Sequence, residues 1–329
     1  MSTVTTVVLF ALATAAALAA SHVLIIRLER IGARLALTEA ALGVVAALAA
    51  DMPEISTAVT ALLQGQNDVG IGVVLGSNVA KLAMLIGLAG IVAGRIVVDR
   101  RVIALETVVA IPLALLTVGV VGEVVAPPAA LVVSLLVFVP YVVLLALRPE
   151  HRRRLRVPER LRGTLSGAVD EEEEYLDIEP PRGGGLDVAL AAVALVVVIA
   201  ASVVVERTGT DLGDAWGLSD LVVGAVLLAI VTSVPNAVAA VHLARRGRGA
   251  ATLSTTTNSN NINVIVGLLL PAALLGLGTV TGATTLTAWW YLVLTTLVLA
   301  WMFLRRGLGR LEGVLIVAAY LVFVVQLLR

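Results

Sequence analysis

AADMPEIS at 49–56 and IVTSVPNAV at 230–238 each set a proline beside polar residues deep inside a long apolar stretch, and each is followed by an asparagine motif, GSNVAK at 76–81 and NSNNIN at 258–263. Pro53 precedes Asn78 by 25 residues, and Pro235 precedes Asn260 by 25. The pattern is an internal repeat. Around it the chain reads as ten apolar spans of membrane length, at about 4–26, 37–64, 69–93, 102–122, 124–147, 186–206, 218–243, 251–276, 285–304 and 311–328. Because five spans separate the two copies, they enter the membrane from opposite sides. This predicts an all-α integral membrane protein of about ten transmembrane helices in two inverted five-helix repeats, an architecture that puts the site of a secondary transporter at the repeat interface near the midplane.

Composition agrees with lipid as the main solvent. Of 329 residues, 59% are hydrophobic and 14% charged, with mean hydropathy +1.03, against about 45–50% apolar and 25% charged for soluble domains. The 23 basic and 23 acidic residues cancel, so there is no basic footprint for nucleic acid. Cysteine is absent, which excludes disulfides and thiolate metal sites. The first apolar run lacks a basic front and is longer than a signal-peptide core, so it reads as the first membrane helix.

Arginine placement gives the orientation, because basic loops stay on the cytoplasmic side. Lys81 is the only lysine, so 22 of the basic residues are arginines. With the N-terminus outside, 20 of them fall on the inner side and only Arg207 and Arg329 on the outer. The one long polar segment, 148–185, contains HRRRLR at 151–156 and EEEE at 171–174 and reads as a cytoplasmic linker, with a basic start suited to anionic lipid head groups. The expected organisation is a first repeat at 1–147, the linker, and a second repeat at 186–329 in a multi-pass cell-membrane protein.

The motif chemistry suits a hard cation. A membrane-helix proline removes a backbone donor and frees carbonyls about a turn earlier, which become cation ligands where they face protein or water. Asp51 and Glu54 are three apart and share a face, as do Ser77 with Lys81 and Ser259 with Asn263, four apart. Glu39, Glu106 and Asp220 lie near span ends and are expected as interfacial anchors or caps.

At these residues the sequence resembles the sodium/calcium exchanger superfamily of cation/calcium antiporters, whose signature is a G-T-S-L-P-E type motif followed by G-S-N-x-x-N or D, once in each half. The resemblance covers effectively the whole chain. It implies that helices 2, 3, 7 and 8 form the ion-binding core while helices 1 and 6 move against it. The implied ion- or substrate-binding residues are Asp51, Glu54, Ser77, Asn78, Lys81, Thr232, Ser233, Asn236, Ser259, Asn260 and Asn263, with Glu54, Asp51, Ser77, Thr232 and Ser259 as the metal-facing oxygens.

Three positions depart from the signature. Asn236 stands where the second motif has glutamate, Asp51 where the first has serine, and Lys81 where the first asparagine motif has Asn or Asp. Fully ionised, Asp51, Glu54 and Lys81 sum to minus one. A nearby ammonium opposes calcium: at about 4 Å, like unit charges repel by about 4 kcal/mol at an effective dielectric of about 20, and a divalent ion doubles that. Lys81 can instead occupy the place of a transported cation and exchange its proton during the cycle.

No nucleophile triad, phosphate-binding loop or nucleotide-binding domain is apparent, so an enzyme or a primary pump is not indicated. The expectation is a secondary antiporter for small inorganic cations (Na, Ca or H), without cofactors, with an atypical ion site and proton coupling open. The alternatives are a transport-inactive homologue acting as a membrane scaffold or sensor, or a transporter of a different solute. The oligomeric state is left open.

Overall fold

The computed structural model describes residues 2–35, 39–147 and 183–329. Most of the expected linker, and the arginines within it, lies outside the described residues. Ten helical rods are described: α1 (Thr3–Arg34), α2 (Glu39–Leu63), α3 (Asn67–Ala93), α4 (Arg100–Val121), α5 (Pro127–Ala146), α6 (Gly185–Trp216), α7 (Asp220–Val222 continuing to Arg245), α8 (Gly249–Leu275), α9 (Gly282–Arg305) and α10 (Arg310–Leu327). Eight of these are long and apolar enough to cross a membrane, and α7 makes a ninth if its bent halves are one span. The remaining rod, α2, is 25 residues long and carries Asp51 and Glu54 inside it.

Burial sorts the helices. In α3 and α8, 94% and 72% of the apolar window is covered by other helices, whereas α1, α5, α6 and α10 leave most of theirs open, as lipid-facing helices do. The two asparagine motifs thus lie on the two central helices. Each motif leads into a π-helical stretch, Leu82–Gly87 in α3 and Asn263–Leu269 in α8, and such widened turns recur at functional sites. A third, Val223–Leu228, precedes the proline of α7. The helix bends by 53° between Val234 and Asn236, at Pro235, as a missing backbone donor allows.

Small residues set how closely the halves approach. A Cβ on Gly76 would lie 2.2 Å from the Ala225 Cα, and one on Gly224 would lie 2.3 Å from the Val69 carbonyl oxygen. Only glycine permits this crossing of α3 and α7, which brings the Lys81 end of one motif beside the Thr232 end of the other.

The rod ends gather at two faces. At one, strand β1 (Arg95–Val97) pairs antiparallel with β2 (Gly307–Gly309), joining the end of α3 to the α9–α10 turn. Arg100, opening α4, donates to the Phe303 and Leu304 carbonyls at the end of α9. Gly249, opening α8, abuts the Val97 carbonyl. At the opposite face Asp68, at the start of α3, accepts from Thr281 and Thr284 at the start of α9. α1 and α6 run antiparallel as a pair: Arg27 meets Asp187 at 2.9 Å near one end, and Phe10 meets Gly209 toward the other.

The structure lengthens two expected spans and moves one acidic residue inward. α1 and α6 each run 32 residues, beyond the expected 4–26 and 186–206. Glu106, expected as an interfacial anchor or cap, is instead fully buried, accepting from Tyr141 at 2.9 Å, Ser254 at 2.9 Å and Thr257 at 2.5 Å. The hydroxyls of α8 that face α4 supply this setting. Asp220 does sit at a helix start, just after the capping Ser219.

Candidate functional site

Asp51, Glu54 and Lys81 are 0%, 1% and 0% exposed, so their charges are satisfied by protein groups rather than water. The two carboxylates stand on successive turns of α2 and point to the same side. Lys81 Nζ, from α3, donates to Asp51 Oδ1 at 2.8 Å and to Glu54 Oε2. The remaining donors come from the other half of the chain. Asp51 Oδ1 accepts from Asn236 Nδ2 at 3.0 Å and Ser259 Oγ at 2.8 Å. Glu54 Oε1 accepts from Ser233 Oγ at 2.9 Å and Thr232 Oγ1 at 3.3 Å, and its Oε2 from Asn263 Nδ2 at 2.6 Å.

A constant offset of 182 residues relates Asp51 to Ser233, Glu54 to Asn236, Ser77 to Ser259, Asn78 to Asn260 and Lys81 to Asn263. The hydrogen bonds follow that symmetry where the chemistry permits. The Asp51–Asn236 and Ser233–Glu54 bonds are mates of one another. Asn78 and Asn260 hold the centre by exchange, each amide donating to the other's backbone carbonyl at 3.1 and 3.2 Å. This pair fixes α3 against α8 at one level, and the two motifs therefore face each other.

All eleven residues singled out from the sequence come together, though not all in one layer. Ser77 touches neither carboxylate: its hydroxyl donates to the Val74 carbonyl at 3.0 Å and accepts from Asn263 at 3.3 Å. Three oxygens in or beside the cluster, Asp51 Oδ2, Asn260 Oδ1 and Asn263 Oδ1, have no hydrogen-bond partner among the described residues. Two carboxylates, several hydroxyls and these amide oxygens form a donor set suited to a hard cation, with the ammonium of Lys81 already among them.

The carbonyl freed by Pro53, that of Ala49 one turn earlier, faces protein and accepts from Ser21 Oγ of α1 at 2.7 Å. Ser202 of α6 likewise donates to the Pro53 carbonyl at 3.3 Å. These two serines were not singled out from the sequence. Both helices expected to move are thus hydrogen-bonded to the proline turn of α2.

Comparison with known proteins identifies the family and the fold. The inner membrane protein YrbG of Escherichia coli (strain K12) is 26% identical over 294 residues, covering 86% of this chain and 84% of its own. Among solved structures, the H+/Ca2+ exchanger CAX superposes with a TM-score of 0.73 at 16% identity, covering 98% of this chain and 82% of that one. The sodium-calcium exchanger NCX_Mj superposes with a TM-score of 0.59 at 20% identity, covering 98% and 99%. These two show a shared fold. The sodium/calcium exchanger protein pattern matches residues 5–148 and again 186–329, and the chain therefore belongs to the sodium/calcium exchanger family of membrane transporters.

Proposed function

We propose that this protein is a secondary cation antiporter in which Lys81 is a tethered competitor for the transported cation, so that exchange is coupled to a proton. The observation that carries the reading is the position of Lys81 Nζ between Asp51 and Glu54, where the donor set otherwise suits a hard cation. With the lysine charged, the three groups sum to minus one and a second cation is opposed. With the lysine neutral they sum to minus two, and the site accepts sodium or calcium. Proton and cation exclude one another, and mutual exclusion at one alternately exposed site is what antiport requires. CAX, similar in fold, is by its name a proton-coupled exchanger.

The two repeats, 1–147 and 186–329, form the transporting unit, with the N-terminus outside and 148–185 in the cytoplasm. Arg95, Arg100, Arg101, Arg248, Arg305, Arg306 and Arg310 lie in or beside the rod ends that gather around the β1–β2 ribbon, which supports this orientation. The ion pair also favours a second reading: a transport-inactive homologue acting as a scaffold or sensor would use the same contacts as a structural clasp.

Proteoliposomes separate the two. An imposed pH gradient should drive sodium or calcium flux in the antiporter, and cation jumps on a solid-supported membrane should give pH-dependent currents. No flux with any of sodium, calcium or manganese across a pH gradient supports the scaffold.

A further inference from the structure

Four turns of α6 carry oxygen-bearing residues in one row, Ser202, Glu206, Thr210 and Asp214, each four after the last. Ser202 is bonded to the carbonyl beside Glu54, and Asp214 is exposed at the far end. Between them Glu206 is 0% exposed. Its Oε1 is 3.5 Å from Thr210 Oγ1, and its Oε2 has no hydrogen-bond partner among the described residues. The side chain of Gln64, just past the end of α2, is a hydrogen-bonding neighbour of the carboxylate, and Arg207 and Asp211 are the nearby charges, both exposed. A carboxylate inside a membrane protein with one oxygen unpartnered is costly, and such residues mark ion pathways.

Two spaces lie along α1 and α6, neither of them lined by Glu206 itself. Toward the end of α6, an open cleft is lined by Thr3, Thr6, Asp211 and Asp214. Toward Glu54, a gap too narrow to hold a water molecule is lined by Thr14, Thr57, Ser202 and Thr232 among apolar side chains. Thr232 lies 3.3 Å from the Glu54 carboxylate, and Thr14 Oγ1 is buried with no partner among the described residues. Phe10 of α1 and Leu228 of α7 close over Gly209 between the two spaces.

We infer that Glu206 is an entry site for the transported cation, receiving it from the side of the acidic cleft and passing it toward Asp51 and Glu54 past the hydroxyls of Thr14, Ser202 and Thr232. The inference rests on the antiporter reading and on the outward placement of the α1 N-terminus. The ligand class is a hard, partly dehydrated cation, held by one carboxylate and neutral side-chain oxygens. The carboxylate acts by raising the local cation concentration at the outer mouth, a one-sided effect, whereas Glu54 is reached from both sides.

Oriented proteoliposomes test this by varying the cation at each face separately. Glu206→Gln should raise the half-saturating outer cation concentration by about tenfold and leave the inner value where it is. The exposed Asp211→Asn, which places no demand on folding, should shift the outer value in the same direction by less. Glu206→Asp should restore most of the loss. A wild type that exchanges cations, with Glu206→Gln unchanged at both faces or weakened equally at both, overturns the inference and leaves the antiporter reading intact. So does an altered pH profile with unaltered outer saturation, which marks a proton site. If Glu206→Gln does not fold, an unshifted outer value in Asp211→Asn overturns the inference. A wild type without exchange overturns the antiporter reading and the inference with it.

Discussion

The two halves of the site are alike in placement and opposite in chemistry. At five positions related by the 182-residue offset, the first half contributes Asp51, Glu54 and Lys81 where the second has Ser233, Asn236 and Asn263, while Ser77/Ser259 and Asn78/Asn260 are the same in both. All formal charge is on α2 and α3, and every group of α7 and α8 that reaches a carboxylate there is a neutral donor. A symmetric frame can therefore carry an asymmetric set of charges. The glycine crossing and the Asn78–Asn260 exchange hold the helices in register, and they are indifferent to which half bears the charge. Electrostatics can then change on one side with the fold unaltered.

That contrast can be broken most severely at Glu54, the residue with the most donors. Glu54→Gln keeps the shape and removes the charge, so cation flux in proteoliposomes should vanish while gel filtration still shows a folded protein. Retained flux would remove Glu54 from the site. Lys81→Asn makes α3 match α8 at this position and takes the charge sum from minus one to minus two. Sodium or calcium affinity, read by isothermal titration, should rise by about tenfold or more, and its dependence on pH should flatten. In cation-free buffer the same variant leaves two buried carboxylates unpaired, at a cost of about 3–5 kcal/mol, so its melting temperature should fall and recover when cation is added. A lower melting temperature with unchanged affinity would favour the scaffold.

Asn236→Glu sharpens the comparison from the other side by giving α7 the carboxylate that α2 already has. Asn236 now donates to Asp51, so the new charge faces an existing one at hydrogen-bond range. Calcium titration should show tighter divalent binding than in the wild type, at some loss of stability without the ion. The smallest effect is expected at Ser21. Ser21→Ala leaves the Ala49 carbonyl unsatisfied, costing about 1–3 kcal/mol in thermal unfolding with the cation affinity of the solubilised protein little changed.

The fold was legible because a proline and an asparagine motif inside apolar spans have few meanings, and their repetition at one spacing has fewer. The charged trio was legible for the same reason: ionisable residues deep in a span stand out. What was not legible depended on neighbours from distant spans. Glu106 lies only six residues beyond Arg100 and looks interfacial until Ser254 and Thr257 of α8 are placed against it. Similarly, Glu206 and the charges after it look like the end of a span, yet α6 continues to Trp216 and encloses Glu206 against α2. The destination of the Ala49 carbonyl needed the position of α1, which no local pattern gives.

Proton release on cation binding tests the competition between Lys81 and the transported ion most directly. Titrating the purified wild type with sodium or calcium in two buffers of different ionisation enthalpy gives the number of protons displaced. The expected result is about one proton released per binding event in the wild type, affinity that rises with pH because a lower proton concentration favours that release, and no release in Lys81→Asn. Cation binding to the wild type with no proton released would contradict it.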